Sequence, residues 1–355
     1  MTVHQWLAAA HRADAVGDHA RRLRDVLRDW GYESEIFALT RDEDLRDEIR
    51  PWSDPAAREG DVTILHYAVP SPMNQALMRL PGVRVLHYHN VTPARFFAPF
   101  DAGIAAFAAK GRQELAAMPG GVDLALGVSE YNRRELDALG FKNTGVLPLL
   151  VNLDRLTTAP PVPALESLLT DGLVNILFVG RIAPNKKIED HIKLAEVFKR
   201  YVDVYYRFIF VGKYDAVPRY GYAIRQLIKE FQMLPDRFWF PGPVPDAELA
   251  AYYRHAHAYV SMSEHEGFCA PLVEAMAMDV PILAYADTAV PETLGGAGVS
   301  FRPKDLEIAG ELLSALVYDE PLRQGVLAGQ RRRVEDFHLD RIEPIIEDVL
   351  EACGV

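Results

Sequence analysis

The sequence is poor in cysteine, in long apolar runs and in positive charge, and each shortage excludes a class of protein. Two cysteines among 355 residues do not make a disulfide framework, so the composition is typical of a reducing compartment. We find no apolar run of the ~20 residues that a membrane-spanning helix requires, since the candidate at 96–109 is interrupted by Pro99 and Asp101. A net charge of −12 disfavours a broad nucleic-acid-binding surface.

The N-terminal residues predict a cytoplasmic location. Residues 1–10 lack the basic start and the long apolar core of a signal peptide. The segment 18–30 contains four arginines that could face anionic lipid at the inner face of a membrane: Arg21, Arg22, Arg24 and Arg28. Asp25 and Asp29 are interspersed among them, so we prefer a solvated helix face and leave peripheral membrane contact open.

The chain alternates short β-like runs with helical segments, which predicts α/β domains built from parallel βαβ units. Its length exceeds what one hydrophobic core usually organises, so we expect two domains. The predicted strands of the first half are 3–10, 34–39, 61–68, 83–89, 124–128 and 145–149. Those of the second half are 174–180, 207–212, 237–240, 258–261 and 281–284.

The domain boundary is predicted from proline content. Pro160, Pro161 and Pro163 lie between the two series of strands, and such a segment is typical of an interdomain linker. We therefore assign 1–156 to the first domain, 157–172 to the linker, 173–335 to the second domain and 336–355 to a C-terminal helix. The sequence gives no indication of the oligomeric state.

The most informative stretch is 263–274, in which Glu266 and Glu274 lie eight positions apart. Between them lies a short loop of Gly267, Phe268 and Cys269. Pro271 then opens a largely apolar run, and proline suits the first turn of a helix because its missing N–H has no helical partner there. The pattern predicts a helix N-terminus whose free N–H groups can bind phosphate. The carboxylates on either side of it can accept hydrogen bonds from hydroxyls. A nucleotide-sugar has both features.

Cations follow the first predicted strand of the second half. That strand ends at Gly180, and Arg181 and Lys186 come next. Ligands of open α/β folds lie beyond the carboxyl ends of the strands, where arginine can bind two phosphate oxygens and lysine can supply a point charge. A solvated basic loop would explain these two residues alone. Together with the acidic motif, they predict a diphosphate site.

The acidic motif resembles the E-x7-E motif of retaining glycosyltransferases with the GT-B fold, most closely the family 4 group. The similarity runs from Glu266 to Ala277 and includes Pro281. Asp279 and Lys187 stand where that family commonly has glycine. The resemblance implies two Rossmann-like domains facing a cleft, with a C-terminal helix that crosses back to the first domain.

The resemblance also implies roles for the motif residues. The first glutamate of the family motif, here Glu266, contacts hydroxyls of the donor sugar, and the second, here Glu274, holds the ribose hydroxyls. The amides of the intervening loop approach the sugar and the phosphates. Arg181 and Lys186 match the family's donor-phosphate segment.

One histidine of the first half is a further candidate. His87 and His89 share one face of a predicted strand. The strand resembles the family's strand ending in His-Asp, whose histidine reaches the donor sugar, so His89 is the candidate, with Asn90 in place of Asp. His66 ends the neighbouring strand and could line the same cleft. The sequence leaves open which of His66 and His89 is functional.

Glycines after other strands are weaker candidates. Gly17 lies in the loop 11–18, before a helix that we expect to begin with Asp18 as N-cap, and resembles part of the family's glycine-rich loop. Gly212 and Val244 follow the second and third strands of the second half, where the family packs backbone against the base. Turn glycines would explain these positions nearly as well.

We predict no cofactor and no required metal. The formal Asp-x-Asp at 42–44 lies in a charged, exposed run, and the cysteine and histidine spacings predict no zinc site. The sequence also lacks G-x-G-x-x-G, which weakens a dinucleotide-oxidoreductase interpretation.

The predicted activity is retaining transfer of a hexosyl group from a nucleoside-diphosphate sugar, with UDP- and GDP-sugars favoured, in polysaccharide biosynthesis. The acceptor is a glycan, a lipid-linked sugar or a small molecule. Arg181 and Lys186 would stabilise the leaving diphosphate. A glycoside hydrolase is disfavoured because it would have no use for these cations. A sugar-nucleotide epimerase and a catalytically silent nucleotide-binding protein remain open.

Overall fold

The computed structural model describes residues 1–11 and 14–355. They divide into two compact units. The first unit comprises Met1–Ala98, Ala102–Val151 and Phe337–Val355, and the second comprises Pro99–Asp101 and Asn152–Asp336.

Each unit is built around a parallel β-sheet. The strands are β1 Val3–Ala10, β2 Ile36–Arg41, β3 Arg50–Pro51, β4 Val62–Tyr67, β5 Val83–Tyr88, β6 Leu124–Gly127, β7 Thr144–Val146, β8 Val174–Val179, β9 Tyr206–Val211, β10 Phe238–Gly242, β11 Ala258–Ser261, β12 Ile282–Tyr285 and β13 Val299–Phe301. The first sheet has the order β3-β2-β1-β4-β5-β6-β7 and the second the order β10-β9-β8-β11-β12-β13. Both are doubly wound orders of the Rossmann kind, which confirms the predicted fold class.

Helices connect the strands. They are α1 Ala15–Asp29, α2 Pro72–Leu77, α3 Ala102–Ala116, α4 Glu130–Ala138, α5 Asp154–Thr157, α6 Pro163–Leu169, α7 Ile188–Tyr201, α8 Pro218–Glu230, α9 Asp246–Arg254, α10 Ala270–Ala277, α11 Val290–Leu294, α12 Leu306–Tyr318, α13 Glu320–Val334 and α14 Leu339–Ala352. Short 3₁₀ turns lie at Glu43–Leu45, Pro55–Arg58, Ala94–Phe96, Pro184–Lys186, Pro235–Arg237 and Glu335–Phe337. Among the helices described, we find none with the length and apolarity needed to cross a bilayer.

The segment predicted as a linker, 157–172, belongs to the second unit and contains α6. Its backbone is held by side chains of that unit. Arg207, which is buried, donates to the carbonyl oxygen of Leu168 at 3.2 Å, and Asn175 donates to that of Leu169 at 2.8 Å. The boundary between the two units lies between Val151 and Asn152 rather than after 156. Within the predicted linker, Pro163 begins α6 instead of extending the chain.

The C-terminal helix α14 belongs to the first unit. Its buried face packs in one apolar cluster with residues of α1 and of the first sheet; the helix contributes Ile342, Ile346, Val349 and Leu350. The chain therefore returns to the first unit after completing the second, as the resemblance implied.

The N-cap of helix α1 lies four residues earlier than the sequence predicts. Asp14, not Asp18, is its N-cap, and the Asp14 carboxylate accepts the N–H of Gly17 at 3.3 Å. Gly17 therefore lies in the first helical turn and not in a loop, and a Cβ atom there would meet nothing closer than 3.6 Å. The prediction was wrong because both aspartates are good N-caps and Asp14 comes first. Residues 12 and 13 of the predicted loop lie outside the described residues.

The basic residues of α1 are neutralised locally. Three of its arginines contact neighbouring carboxylates, in the pairs Arg21–Asp18, Arg24–Asp25 and Arg28–Glu35. This pairing favours the solvated helix face over a lipid-binding patch.

Candidate functional site

In the second unit, the predicted site residues lie where the strand order reverses. The sheet reads β10-β9-β8 in one direction and β11-β12-β13 in the other, so β8 and β11 flank the switch point at which open α/β sheets bind their ligands. Arg181 and Lys186 follow β8, and Glu266 follows β11. The ammonium Nζ of Lys186 lies 2.5 Å from Oε1 of Glu266. The structure thus brings together two candidates that are 80 positions apart.

Hydrogen bonds join the loop after β8 to the loop after β11. The side-chain amide of Asn185 donates to the carbonyl oxygen of His265 at 3.0 Å, and the N–H of Glu264 donates to the carbonyl oxygen of Asn185 at 2.9 Å. The N–H of Glu266 donates to the hydroxyl of Thr288 at 2.9 Å. These hydrogen bonds fix the backbone of the two loops next to Lys186 and Glu266. The two side chains therefore start from well-defined backbone positions.

The second carboxylate, Glu274, lies on α10 and is buried. The helix begins after Cys269, whose φ of 70° turns the chain into it, and Pro271 lies in its first turn. Glu274 accepts a hydrogen bond from the hydroxyl of Tyr253 at 2.9 Å and pairs with the guanidinium of Arg155. Burial and the nearby Glu274 raise the pKa of Tyr253 well above its usual value, so that hydroxyl remains a donor.

Arg155 was missed by sequence reasoning. It lies on α5, in a segment assigned to the first domain, and its guanidinium contacts both Asp246 and Glu274. No local pattern around it indicates a site. The contacts of Arg155 with Asp246 and Glu274 depend on the packing of α5 on α9. Sequence spacing does not predict which helices pack together.

The loop between the carboxylates is also ordered by contacts of its own. Thr293 donates its hydroxyl hydrogen to the carbonyl oxygen of Phe268, and Phe268 and Cys269 are buried. Burial, then the nearby Glu266, raise the pKa of the Cys269 thiol well above its usual value. Cys269 therefore packs as a small apolar residue, whereas Gly267 keeps the chain free of a side chain beside Glu266.

Two glycines allow the strand ends to approach closely. Gly180 and Gly212 have φ values of 149° and 139°, a region that glycine favours. A Cβ atom on Gly212 would lie 2.2 Å from the carbonyl oxygen of Gly180. Gly212 therefore supports the turn at Gly180, after which Arg181 emerges. Val244 lies in the loop after β10, and we find no recorded contact that joins it to this group among the described residues.

Arg181 is exposed. Within the described part of the chain, we find no acidic side chain paired with its guanidinium. It is thus a cation available to an anionic ligand at the same strand ends as Lys186.

The histidines of the first unit are joined by a hydrogen-bond chain. His66 Nδ1 lies 2.9 Å from His89 Nε2, and His66 Nε2 lies 2.8 Å from the side-chain oxygen of Gln5. His66 is buried behind His89, which is half-buried. Of the two histidines that the sequence could not separate, His89 is the more accessible one and His66 supports it.

His87 and His19 lie against this pair, with ring centroids of His87 and His89 4.3 Å apart and those of His19 and His87 4.8 Å apart. The spacing argument, which predicted no metal site, missed this group of four. Its members come from α1, β4 and β5 and the residue after β5, so they converge only when the strands pair. Asp42 and Glu43, by contrast, contact His11 and Arg46, as expected of a charged surface run.

A surface groove of about 1070 Å³ lies elsewhere in the second unit, between α7 and α12. Its lining contains four acidic residues: Glu307, Glu311, Asp319 and Glu320. Such a lining repels a diphosphate. The strand ends at the switch point are therefore the better candidate for nucleotide binding.

Residues 166–329, which lie within the second unit, match the family model described as Glycosyl transferases group 1. The O-antigen chain mannosyltransferase B of Escherichia coli is 38% identical over 79 residues, which are 22% of this chain and 21% of that protein. The GDP-mannose-dependent alpha-mannosyltransferase of Mycolicibacterium smegmatis is 37% identical over 114 residues, or 32% of this chain and 26% of that protein. The matches thus span about a quarter or less of these two relatives.

Two solved structures are similar over nearly the whole chain. Sucrose-phosphate synthase from Thermosynechococcus elongatus has a TM-score of 0.74 at 18% identity, covering 99% of this chain and 98% of that one. HepE from Anabaena, solved in complex with UDP-glucose, has a TM-score of 0.74 at 16% identity and covers 99% and 100%. At this identity the similarity concerns the fold. The chain therefore has the GT-B fold, and its residues 166–329 are similar in sequence to the glycosyl transferases of group 1.

Proposed function

We propose that the chain is a retaining glycosyltransferase that uses a nucleoside-diphosphate sugar as donor and binds its diphosphate without a metal ion. The observation that carries this proposal is the contact between Lys186 and Glu266 at the switch point. Glu274 lies in α10, the helix that follows the loop of Glu266. One nucleotide-sugar could then place its diphosphate at Lys186 and its sugar and ribose hydroxyls at the buried carboxylates of Glu266 and Glu274.

The leaving group is the diphosphate, whose negative charge grows as the bond to the sugar breaks. Arg181 is exposed and has no acidic partner that we find among the described residues, so it can bind phosphate oxygens in a fork. Lys186 adds a second positive charge, and amide N–H groups at the start of α10 add donors. Fixed donors aimed at developing charge are usually the largest catalytic contribution.

Glu266 is proposed to orient the sugar. Without donor, its charge is balanced by Lys186 at 2.5 Å; donor binding would draw Lys186 toward phosphate and leave the carboxylate to accept sugar hydroxyls. His89 of the first unit is proposed to contact the sugar near the reacting carbon. We find no carboxylate assigned as a nucleophile, so the proposal is a front-face reaction in which the departing phosphate helps to deprotonate the acceptor.

Glu274 is proposed to hold the ribose. Tyr253 and Arg155 fix its carboxylate, so its remaining acceptor capacity is pre-oriented. Arg155 and Tyr253 are positioning residues here, since they act through Glu274.

Mannose is the proposed sugar and guanosine the proposed base. The support comes from the two relatives described above, the O-antigen chain mannosyltransferase B of Escherichia coli and the GDP-mannose-dependent enzyme of Mycolicibacterium smegmatis. The same names suggest a polysaccharide or lipid-linked glycan as acceptor.

The deciding experiment is calorimetric titration of the purified chain with GDP, UDP and ADP in buffer without added metal. GDP is expected to bind most tightly. Equal binding of the three nucleotides would overturn the choice of guanosine, and absence of binding would overturn the proposed site. Incubation with GDP-mannose and candidate acceptors, followed by NMR of the anomeric signal, then tests transfer with retention. Conversion of GDP-mannose without acceptor would instead identify an epimerase, and binding without turnover a silent nucleotide-binding protein.

A further inference from the structure

Four histidines of the first unit form a compact group, which we call the histidine cluster: His19, His66, His87 and His89. One ring nitrogen from each lies within 4.8 Å of those from the other three. Three of the four are buried and His89 is half-buried. Within the described residues, the group includes no carboxylate and no thiol.

Hydrogen bonds from outside the cluster determine which nitrogens of His66 and His87 are protonated. His87 Nε2 lies 2.9 Å from the carbonyl oxygen of Leu147, which can only accept, so Nε2 carries the hydrogen. The Gln5 amide nitrogen donates to the carbonyl oxygen of Ala20 at 3.0 Å. The Gln5 oxygen therefore accepts from His66 Nε2, 2.8 Å away. The Nδ1 atom of each histidine is left with a lone pair.

The same reasoning extends to His89 and His19. His89 Nε2 donates to the lone pair of His66 Nδ1 at 2.9 Å. The N–H of Leu150 donates to His19 Nδ1 at 3.0 Å, so His19 carries its hydrogen on Nε2. Among the described residues, three cluster nitrogens are then buried without a hydrogen-bond partner: Nε2 of His19, Nδ1 of His87 and Nδ1 of His89.

Three unpartnered buried nitrogens at one place indicate an occupant, because such atoms cost free energy unless they are satisfied. Neutral imidazole without carboxylate is the ligand set of Zn²⁺ and similar transition-metal ions, whereas Mg²⁺ and Ca²⁺ require oxygen. Burial lowers the pKa of all four histidines and so keeps them in the neutral form that binds metal.

We propose that the histidine cluster binds one transition-metal ion of the Zn²⁺ class through His66, His87 and His89. His66 and His87 present Nδ1 while an oxygen holds the opposite N–H, which is how metal-bound histidines are commonly oriented. His89 supplies Nε2 as the third ligand atom: its hydrogen moves to Nδ1, and the ion replaces the hydrogen bond from His89 to His66. The Nε2–H of His19 donates to a solvent ligand in the fourth position, as in zinc sites with three protein ligands.

The test measures metal directly and needs neither donor nor acceptor, so its result is independent of the proposed glycosyl transfer. The 355-residue chain, purified without a polyhistidine tag, is stripped with a chelator and titrated with Zn²⁺ by calorimetry. One ion per chain is expected. Titration with Co²⁺ is expected to give the visible absorption bands of a tetrahedral site. Folded protein that binds neither ion would overturn the proposal and leave water as the occupant.

Variants locate the ion. His66→Gln and His87→Gln are expected to lose at least 100-fold in Zn²⁺ affinity, whereas Gln5→Leu, which removes only the partner of His66, is expected to lose about 10- to 100-fold at unchanged stoichiometry. His191→Gln replaces another fully buried histidine, in the second unit, and is the matched control with unchanged binding.

Circular dichroism establishes that each variant is folded before its affinity is compared. Unchanged affinity in a folded His87→Gln protein would place the ion elsewhere and overturn the assignment. If neither His66→Gln nor His87→Gln folds, the test rests on Gln5→Leu and on the Co²⁺ spectrum of the unaltered chain. Unchanged Zn²⁺ affinity in folded Gln5→Leu would also overturn the assignment of the ion to the histidine cluster.

Discussion

Single residues at the switch point carry separable parts of the proposed reaction. Arg181 is exposed and Glu274 is buried, so the two can be altered with different expectations for folding. A role in leaving-group departure changes turnover, and a role in ribose binding changes donor affinity. These two residues therefore give the sharpest tests of the proposed function.

Replacing Arg181 with alanine is expected to lower kcat by about 10²- to 10³-fold with little change in donor affinity, because its charge is needed most when the diphosphate departs. Kinetics and calorimetry on the same preparation measure both quantities. Arg200→Ala removes another exposed arginine of the second unit, one paired with Glu196, and is expected to leave both unchanged. Full turnover in Arg181→Ala would contradict the assigned role.

Replacing Glu274 with glutamine is expected to weaken GDP binding by about 10- to 100-fold, since hydrogen bonds to a charged group contribute about 1.5–3 kcal/mol. Comparison with 2′-deoxy-GDP identifies the contact. The unaltered chain should prefer GDP, and the variant should bind the two nucleotides almost equally. A preference that persists in Glu274→Gln would show that another group reads the ribose.

Helix α10 is followed by a residue that is unusual at a helix end. Asp279 stands where glycine is common in the resembling family, and its φ is 54°. The N–H of Val280 bonds to the carbonyl oxygen of Ala275 at 2.9 Å, and that of Asp279 to Met276 at 3.3 Å, which is the Schellman pattern of a helix end. The backbone thus keeps the left-handed conformation although the glycine is absent.

Asp279→Gly is therefore expected to raise the free energy of unfolding by about 1 kcal/mol, because glycine adopts positive φ without the cost that other residues bear. The variant also loses the ion pair with Arg331, but exposed pairs contribute little. Asp279→Ala loses the same pair without relief of the backbone and should not be stabilised. Urea unfolding of the three proteins measures the difference, and a Gly variant no more stable than the Ala variant would refute the argument.

Helix α7 contains a buried histidine whose titration affects stability. His191 contacts the carbonyl oxygens of Lys187 and Val260 at 3.0 and 3.2 Å. Burial lowers the pKa of His191 to about 4, although these hydrogen bonds act in the opposite direction. As the pH falls below about 6.5, the unfolded chain takes up a proton that the folded chain does not. Stability is therefore retained above this pH and lost between about 6.5 and 4.

His191→Gln is expected to reduce the pH dependence of unfolding in that window by one proton, or about 1.36 kcal/mol per pH unit. Urea unfolding at several pH values between 4 and 7.5 measures the slope in both proteins. Identical slopes would show that His191 titrates alike in the folded and unfolded chains.

Sequence reasoning succeeded for elements with local signals and failed where the signal is tertiary. The bounds of β1 and β11 agree with prediction because each is a short run of strand-forming residues between breaks. The same reasoning placed α6 in a linker, since its proline could start a helix or extend a chain. Arg155 and the histidine cluster could not be predicted, because their contacts join segments that only sheet pairing and helix packing bring together.

The second unit interrupts the first in sequence, because α14 completes the first unit after residue 336. The buried residues Ile342, Ile346 and Leu350 pack with those of α1 and the first sheet. The fold of the first unit therefore depends on a segment that follows the whole second unit in sequence. The sequence resemblance implied this connection. The apolar pattern of 336–355 shows which face of the helix is buried, but it does not identify the surface against which that face packs.

Removing residues 337–355 is expected to unfold the first unit and leave the second folded. Each buried aliphatic side chain of α14 contributes about 1.5–3 kcal/mol, and the four together approach the 5–15 kcal/mol that holds a domain folded. Proteolysis with mass spectrometry should leave a resistant fragment within 152–336, the range of the second unit. In hydrogen exchange, the amides of β1, β4 and β5 should exchange rapidly. Protection of those strands in the truncated chain would show that the first unit folds without α14.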